Sequence, residues 1–332
     1  MRDTQKLNCA PPLGQRQNCC WEMQNTLQSS AVRSSASTIR KGLIALIAVV
    51  VSIAIGVFVF QPRQLPPAPP LPTPNGYDDF VKARQLLTTN TWDFYQMDAD
   101  ELRKLSAQNA EALRLVRTGL SRECRVPLVS NQQSHLTILV STKALAQALS
   151  AEGRIAELEH RNADAARAYL DAMRLGHEAA RGGPLIDGLV RIAIESIGST
   201  GLQTVATNLN TVECREVIVA LETLGKKEES FKDVMKNEKE WVRRSFSLYQ
   251  RTAGSFMRLF NIGSLKQAMQ KAESKFQTQG RKRRALLIGI AARAYELEKG
   301  QPPKTALDLV PDYLKEIPQD PISGTNMVLK PL

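Results

Sequence analysis

The chain has 332 residues and a formal net charge of +11, from 44 Lys and Arg against 33 Asp and Glu. Hydrophobic residues make up 43% of it, which excludes disorder along the whole chain, and 19 Gly with 5 Cys exclude a collagen-like or disulfide-dense protein. Aromatic residues, at 5%, favour helices rich in Ala and Leu over a β-sandwich.

The region from Gly42 to Phe60 is a run of 19 residues without a charged side chain. At ~1.5 Å per residue such a helix spans about 28 Å, close to the ~30 Å hydrocarbon core of a bilayer. A buried core helix is the alternative, but core helices rarely run so long without a polar face. No small-residue cleavage site follows the run, which favours an uncleaved signal anchor.

The orientation of this anchor follows from the positive charges beside it. Arg33, Arg40 and Lys41 precede the run without an intervening acid, and only Arg63 follows it closely. The positive-inside rule therefore predicts a single-pass protein of the cytoplasmic (inner) membrane, with its N-terminus inside and its C-terminal part extracytoplasmic.

Composition divides the chain into segments of different character. The N-terminal residues are rich in Ser, Gln and Asn, and we expect them to be disordered in the cytoplasm. Seven prolines between Pro62 and Pro74 favour polyproline II, a semi-rigid stalk of up to about 40 Å. The predicted segments are the N-terminus (1–41), the transmembrane helix (42–60), the Pro-rich linker (61–76), an α-helical domain (77–284), and a C-terminal helix and tail (285–332).

The pattern beyond the linker is helical nearly throughout. Asp98–Glu101 is typical of a capping box at a helix start, and apolar residues at helical spacing follow it. Further helices are predicted over Leu136–Ala156, Ala163–Ala180 and Leu185–Leu209, with a break at Gly182–Pro184. The predicted fold class is mostly α: one transmembrane helix, an extracytoplasmic helical domain and a short mixed C-terminal tail.

One part of this pattern resembles a tetratricopeptide unit, a pair of antiparallel helices in which small residues allow close approach and an aromatic ring fills the groove. Glu152 and His177 depart from the motif, and no second copy lies 34 residues away in either direction. A single tetratricopeptide-like hairpin and a generic helical hairpin both remain open. The matching residues are Ala146, Leu149, Gly153, Ala165, Tyr169 and Ala172.

Positive charge is concentrated in residues 226–284, which hold 16 Lys and Arg against 6 Asp and Glu. One interpretation is a basic surface for anionic lipid, an envelope polymer or an acidic partner. The other is a solvated helical face over an aromatic core. Nucleic acid is not expected, because the segment lies outside the cytoplasm and no DNA-binding pattern is present. The candidate surface residues are Arg243, Arg244, Arg251, Arg258, Arg281, Lys282, Arg283 and Arg284.

The end of the chain resembles the C-terminal portion of the major pseudopilins of type II secretion, in which a helix ends at a Gly-x-x-Pro turn and a short apolar segment and a Pro-x-Asp-Pro turn follow. The resemblance implies an accessory role in a secretion or pilus-like apparatus, and a short β-strand is expected at Met327–Leu329. The residues that carry it are Tyr295, Gly300, Pro303, Leu307, Val310, Tyr313, Leu314, Pro318, Asp320 and Pro321.

The chain also departs from the pseudopilins. Ile47 stands where a prepilin has Glu at the fifth mature position, so the usual signal for incorporation into a pilus is missing. Asp320 is the last acid in the chain, so no calcium site is carried over. The whole region outside the predicted membrane, including Leu113–Leu128 and Ala163–Ile197, also resembles a group of bacterial single-pass membrane proteins without an assigned activity. This resemblance supports the architecture and implies no chemistry.

No catalytic, metal or cofactor site is predicted. His135, His160 and His177 are far apart and show no metal-ligand spacing. Cys124 and Cys214 either form a disulfide or remain two buried free thiols. We therefore expect a membrane-anchored interaction or scaffold protein with a protein partner, and not an enzyme. An accessory role in secretion is the alternative, and an enzyme acting on envelope material is the third hypothesis.

Overall fold

The computed structural model describes residues 46–52, 68–88, 94, 96–128, 132–245 and 262–329. The chain divides into two compact units, residues 1–65 and 66–332. In the first, residues 46–52 are helical with exposed side chains. Among the residues that are described, no helix combines the length and apolarity needed to cross a membrane. Most of the predicted span Gly42–Phe60 lies outside the described residues.

The second unit is mostly α-helical, as the sequence predicts. A single antiparallel bridge pairs Gln319 with Asn326, and the described part of the chain contains no β-strand. The helices are α1 (Gly76–Gln85), α2 (Ala99–Leu120), α3 (Gln132–Leu158), α4 (Asn162–Ala180), α5 (Leu185–Ala206), α6 (Thr211–Lys226), α7 (Phe231–Ser245) and α8 (Ile262–Lys299), followed by a 3₁₀ turn (Ala306–Leu309).

Side-chain caps and glycines set the helix ends. The capping box predicted at Asp98 is confirmed: its carboxylate accepts from the N–H groups of Asp100 and Glu101, and its own N–H donates to the Glu101 carboxylate at 3.1 Å. Asn210 forms a second capping box at the start of α6. Helix α8 ends at Gly300, whose φ of +71° lies in the left-handed region and whose N–H donates to the Glu296 carbonyl at 2.8 Å.

Two hydrophobic clusters form the core, and α4 belongs to both. Leu175 and Ala179 of α4 join the first cluster, with side chains of α1, α2 and α3. Tyr169 and Met173, on the other side of α4, join the second cluster, with α6, α8 and the tail. Helix α4 therefore holds the two halves of the second unit together.

Helices α3 and α4 form the hairpin that the small residues predict. A Cβ on Gly153 would lie 2.7 Å from the ring of Tyr169, so only glycine allows this approach. The Tyr169 hydroxyl donates to the Glu157 carboxylate at 3.1 Å. Helix α5 approaches the same ring at Gly201, a second glycine contact that the tetratricopeptide comparison did not predict.

The tail folds back on α6 and α8, but Leu307 and the strand expected at Met327–Leu329 differ from the sequence prediction. Leu309, Tyr313 and Leu314 are buried, whereas Leu307 is 69% exposed. The strand expected at Met327–Leu329 does not form. The Met327 N–H donates to the Pro318 carbonyl at 2.9 Å, but a longer ladder lacks donors because Pro318 and Pro321 have no N–H group. The predicted boundary between residues 284 and 285 falls inside α8, which is continuous there.

We predict that Gly198→Ala destabilises the fold. A Cβ at this position of α5 would lie 2.6 Å from the Tyr169 carbonyl oxygen and 2.7 Å from Cγ of Met173. The expected loss is about 1–3 kcal/mol in the free energy of unfolding, although alanine is the better helix former. Urea unfolding followed by far-UV circular dichroism measures it.

The matched control is Gly225→Ala in α6, where a Cβ would meet nothing within 4 Å. This variant should be unchanged or more stable by up to ~1 kcal/mol, because it gains helix propensity without a clash. Equal stability of the two variants would contradict the close approach of α4 and α5.

Candidate functional site

Helix α5 carries three charged residues on the face that packs into the protein. Asp187, Arg191 and Glu195 follow one another at intervals of four residues and are 0%, 4% and 0% exposed. Burying an ionised group is very unfavourable unless it is paired and hydrogen-bonded. We call these three residues and their partners His135, His177, Glu228 and Arg283 the buried charge ladder.

The first step of the ladder joins α3 to α5. Nε2 of His135 lies 2.9 Å from Oδ2 of Asp187, and both side chains are buried. Burial raises the pKa of Asp187, against the opposing effect of His135. The ring of Trp241 from α7 lies 6.5 Å from the His135 ring, measured between centroids, and closes this end of the ladder.

The other end joins α4, α5 and α8. Nη1 of Arg283 donates to Glu195 at 2.7 Å, and Nε2 of His177 lies 3.1 Å from the second carboxylate oxygen of Glu195. Burial disfavours the charge on Glu195, but His177 and Arg283 outweigh it and lower the pKa to about 2. The second arm of Arg283 donates to Glu228 in the loop after α6. Glu195 is thus an anion held between two partners inside the protein.

Arg191 occupies the middle of the ladder. Its Nη1 donates to Glu228 at 3.4 Å, and its guanidinium carbon lies 5.0 Å from the centroid of the Phe276 ring of α8, a cation–π geometry. Glu228 therefore bridges Arg191 and Arg283. These charged groups pair with one another inside the protein. The ladder therefore has a structural role, because its ion pairs fix how α5 packs against α8.

A groove of about 420 Å³ lies beside the ladder. It is lined by α6 within residues 221–226, by α8 within residues 283–287 and by the tail at 315–319, and we call it the tail groove. Buried Leu221 and Leu287 contribute an apolar floor. A Cβ on Gly225 would meet nothing within 4 Å, so this position leaves space for a ligand.

Charges at the rim of the tail groove are only partly compensated. Nζ of Lys315 lies 3.6 Å from Oε2 of Glu222, and the backbone N–H of Lys315 donates to Oε1 of the same carboxylate at 3.2 Å. Arg284 donates to the carbonyl oxygen of Gln319 at 2.5 Å instead of to a carboxylate. Within the described part of the chain, Lys226, Arg284 and Glu316 form no ion pair.

The residues predicted to form one basic surface lie in different environments. Arg243 and Arg244 of α7 both pair with Glu240. Arg281 pairs with Asp320 of the tail. Lys282 is exposed, and Arg284 lines the tail groove. Arg251 and Arg258 lie outside the described residues.

Arg283 requires a correction, because the sequence prediction placed it on the basic surface. It is 2% exposed and ranks among the largest fully buried side chains. Glu195 and Glu228 compensate its charge and, against the effect of burial, raise its pKa. The four consecutive basic residues from Arg281 thus include one that belongs to the core.

The structure separates the two cysteines of the helical domain. Cys124 lies in the first hydrophobic cluster and Cys214 in the second, and both are free. Burial raises the pKa of Cys124 to about 12 and that of Cys214 to about 11, so the thiols stay protonated and unreactive near neutral pH. No disulfide joins them in this structure. Of the two alternatives left open by the sequence, the structure shows two buried free thiols.

The buried charge ladder was missed at the sequence level, although part of its signal is present there. Asp187, Arg191 and Glu195 are the charged residues of α5, and their spacing puts them on one helical face. A polar stripe of this kind is commonly read as a solvent-facing side. His177, which departs from the tetratricopeptide pattern, is the partner that α4 supplies to the ladder.

Comparisons with protein-family models, with curated proteins and with solved structures find no match for this chain. Within the described residues, no group of three or more His, Cys, Asp and Glu side chains is arranged to hold a metal ion. Function is therefore inferred from the groove, the ladder and the sequence.

We predict that Arg283→Met lowers the free energy of unfolding by about 3–5 kcal/mol, because it leaves Glu195 charged, buried and without its guanidinium partner. Adding Glu195→Gln should recover part of this loss, because the second change removes the uncompensated charge. Lys282→Met, at the exposed neighbouring position, is the control and should change stability by less than ~0.5 kcal/mol. Equal losses from both single variants in urea unfolding would contradict a structural role for Arg283.

The lowered pKa of Glu195 predicts a pH dependence of stability. The pKa is about 2 in the folded protein, below the ~4.3 of an unfolded glutamate. The stabilisation that ionised Glu195 contributes to the folded state is therefore fully present above about pH 5. It is lost as the pH falls through ~4.3 towards 2, and the free energy of unfolding falls by up to roughly 3 kcal/mol. Glu195→Gln should flatten the fall in unfolding free energy over this range.

Glu273→Gln is the control for this pH dependence, because Glu273 is exposed on α8. Its stability should follow the wild-type curve between pH 5 and pH 2. A wild-type slope in Glu195→Gln would show that other groups produce the acid sensitivity.

Proposed function

We propose that this chain is a membrane-anchored interaction protein whose extracytoplasmic helical domain binds a partner protein in the tail groove. The observation that carries the proposal is the combination of an apolar floor, Leu221 and Leu287, with unpaired rim charges at Lys226 and Arg284. Apolar surface beside uncompensated charge is the usual composition of a site that a ligand completes.

Arg284 at the rim contrasts with most arginines of the described chain, which have carboxylate partners. Arg215 donates to both oxygens of Glu298, at 2.8 and 3.0 Å. Arg117 contacts Glu152 and Asp171. Against this background, Arg284 is one of the few described arginines without a carboxylate partner, and Lys226 adds a second positive charge to the same groove.

The wall of the groove is held in place without a ligand. Arg281 pairs with Asp320, and the Tyr313 hydroxyl donates to Glu298 at 2.6 Å. Arg215 donates to the Asp312 carbonyl at 3.0 Å, and its guanidinium carbon lies 4.8 Å from the Tyr313 ring centroid. A preformed groove pays less ordering entropy on binding, which favours recognition at this place.

The proposed anchor is supported by the sequence. The run from Gly42 to Phe60 has the length and apolarity of a membrane span. Within it, residues 46–52 are helical, and the Ser52 hydroxyl donates to the Ala48 carbonyl at 2.7 Å, so its one clearly polar side chain is satisfied inside the helix. The Pro-rich linker would then hold the helical domain away from the bilayer.

We do not propose catalysis. The chemically active groups of the buried charge ladder, His177 and Glu195 among them, pair with one another and are closed to solvent. Among the described residues that line the tail groove, there is no nucleophile paired with a base. An interaction role uses the features of the groove without requiring such a group.

An accessory role in a secretion or pilus-like apparatus is the second candidate, favoured by the tail. The rings of Tyr295 and Tyr313 lie 5.5 Å apart, so two residues of the pseudopilin resemblance pack together. Pro318, another of its residues, lines the tail groove. In this version the groove binds a component of the apparatus.

Site-specific photo-cross-linking in native cells tests the proposal. A photoreactive phenylalanine analogue at Gln319, an exposed residue at the rim of the tail groove, should capture one discrete partner, and the same analogue at Gly263, exposed at the start of α8, should not. Capture should fall when Lys226→Glu is added. Mass spectrometry that identifies a secretion or pilus component would select the second candidate. Equal capture from both positions, or none from Gln319, would refute the proposal.

A further inference from the structure

The tail groove carries three features that one ligand can satisfy together: unpaired cations, an apolar floor and backbone groups without partners. We propose that the groove binds the free carboxyl end of a polypeptide whose last side chain is apolar. This inference rests on the proposed function and adds to it the chemical class of the partner segment.

The charges match one carboxylate. Lys226 and Arg284 are cations and Glu316 is an anion, and within the described residues none of the three is ion-paired. They leave one positive charge in excess at the groove. Arg284 uses Nη1 for the Gln319 carbonyl at 2.5 Å, which leaves other guanidinium donors for a carboxylate. A chain end supplies one negative charge in a group that these donors recognise.

The floor matches an apolar side chain. Leu221 and Leu287 line the groove from two helices, and Ile317 and Pro318 line it from the tail. The volume of about 420 Å³ lies near the lower end of the ~300–1,000 Å³ range of ligand pockets. It is therefore suited to the last residues of a chain, whereas a folded surface would contact only the rim.

The tail wall offers hydrogen bonds to a peptide backbone. Among the described residues, the backbone groups of Glu316 and Ile317 take part in no hydrogen bond. An extended peptide laid along this wall pairs with such groups as an added strand does. The Glu316 carboxylate is in addition an acceptor for a peptide N–H group.

Other anionic ligands use fewer of these features. Inorganic phosphate has no apolar part and leaves the floor empty. A fatty acid supplies a carboxylate and a chain but no donors for Glu316 and no partners for the free backbone groups. A polypeptide segment uses all three features, and at its free carboxyl end one residue supplies both the carboxylate and the apolar side chain, which suits a groove of this size.

Fluorescence anisotropy with the full chain in detergent micelles tests the inference. The probes are a fluorescein-labelled peptide, Gly-Ser-Gly-Ser-Phe-Leu with a free carboxyl end, the same peptide with an amidated end, and a version ending in Ser-Ser. We expect the free acid to bind about tenfold or more tightly than the amide and the Ser-Ser peptide. Sodium laurate and inorganic phosphate are added as competitors and should not displace it.

Matched variants assign the binding to the groove. Gly225→Leu places a side chain in the open space at the groove and should abolish binding, whereas Gly263→Leu on the exposed start of α8 should leave it unchanged. Lys226→Gln should reduce the affinity for the free acid towards that for the amide. Far-UV circular dichroism verifies that each variant is folded.

Equal binding of acid and amide, lost in Gly225→Leu, would overturn carboxyl-end recognition and leave the proposed function standing. Displacement by laurate or phosphate would overturn it in favour of those ligands. No binding of any of the three peptides would overturn it as well. The cross-link from Gln319 then decides the proposed function separately.

Discussion

The ion pair between Arg283 and Glu195 is the interaction on which the rest of this structure depends. Close packing sets how near two helices lie, and a buried guanidinium facing two carboxylates adds a further requirement, because it is satisfied only where both acids are within hydrogen-bond reach. Helix α8 also carries one wall of the tail groove and ends where the tail begins. The alignment of a single charged residue therefore determines where the groove lies and how the tail reaches it.

A different constraint sets the packing of α3, α4 and α5. Tyr169 of α4 lies between α3 and α5, and glycines on both neighbours make room for its ring. The result is a layer of three closely spaced helices that closes two hydrophobic clusters at once. Close packing fixes the spacing of the helices there, and charge pairing fixes their alignment around α8, so the two constraints complement each other.

Local signals in the sequence predicted the local structure. The capping box at Asp98, the break at Gly182–Pro184 and the end of α8 at Gly300 depend on residues close in sequence, and the structure has all three. Partners distant in sequence were not predictable in this way. Arg283 stands in a run of four basic residues, and nothing local distinguishes it from Lys282. Its partner Glu195 is 88 positions away, and the groove combines three separated segments.

Arg283 and Arg284 are adjacent in sequence, but substitutions at the two positions have different consequences. Arg283 turns inward to the ladder, and its replacement removes the compensation of a buried acid. Arg284 lies at the groove and donates to the backbone carbonyl of Gln319, so its replacement leaves no buried acid without a partner. Substitutions at the second position change the charge of the groove lining and leave the buried pair of Arg283 and Glu195 in place. The charge of the groove lining is therefore free to diverge among descendants of this chain while their architecture is retained.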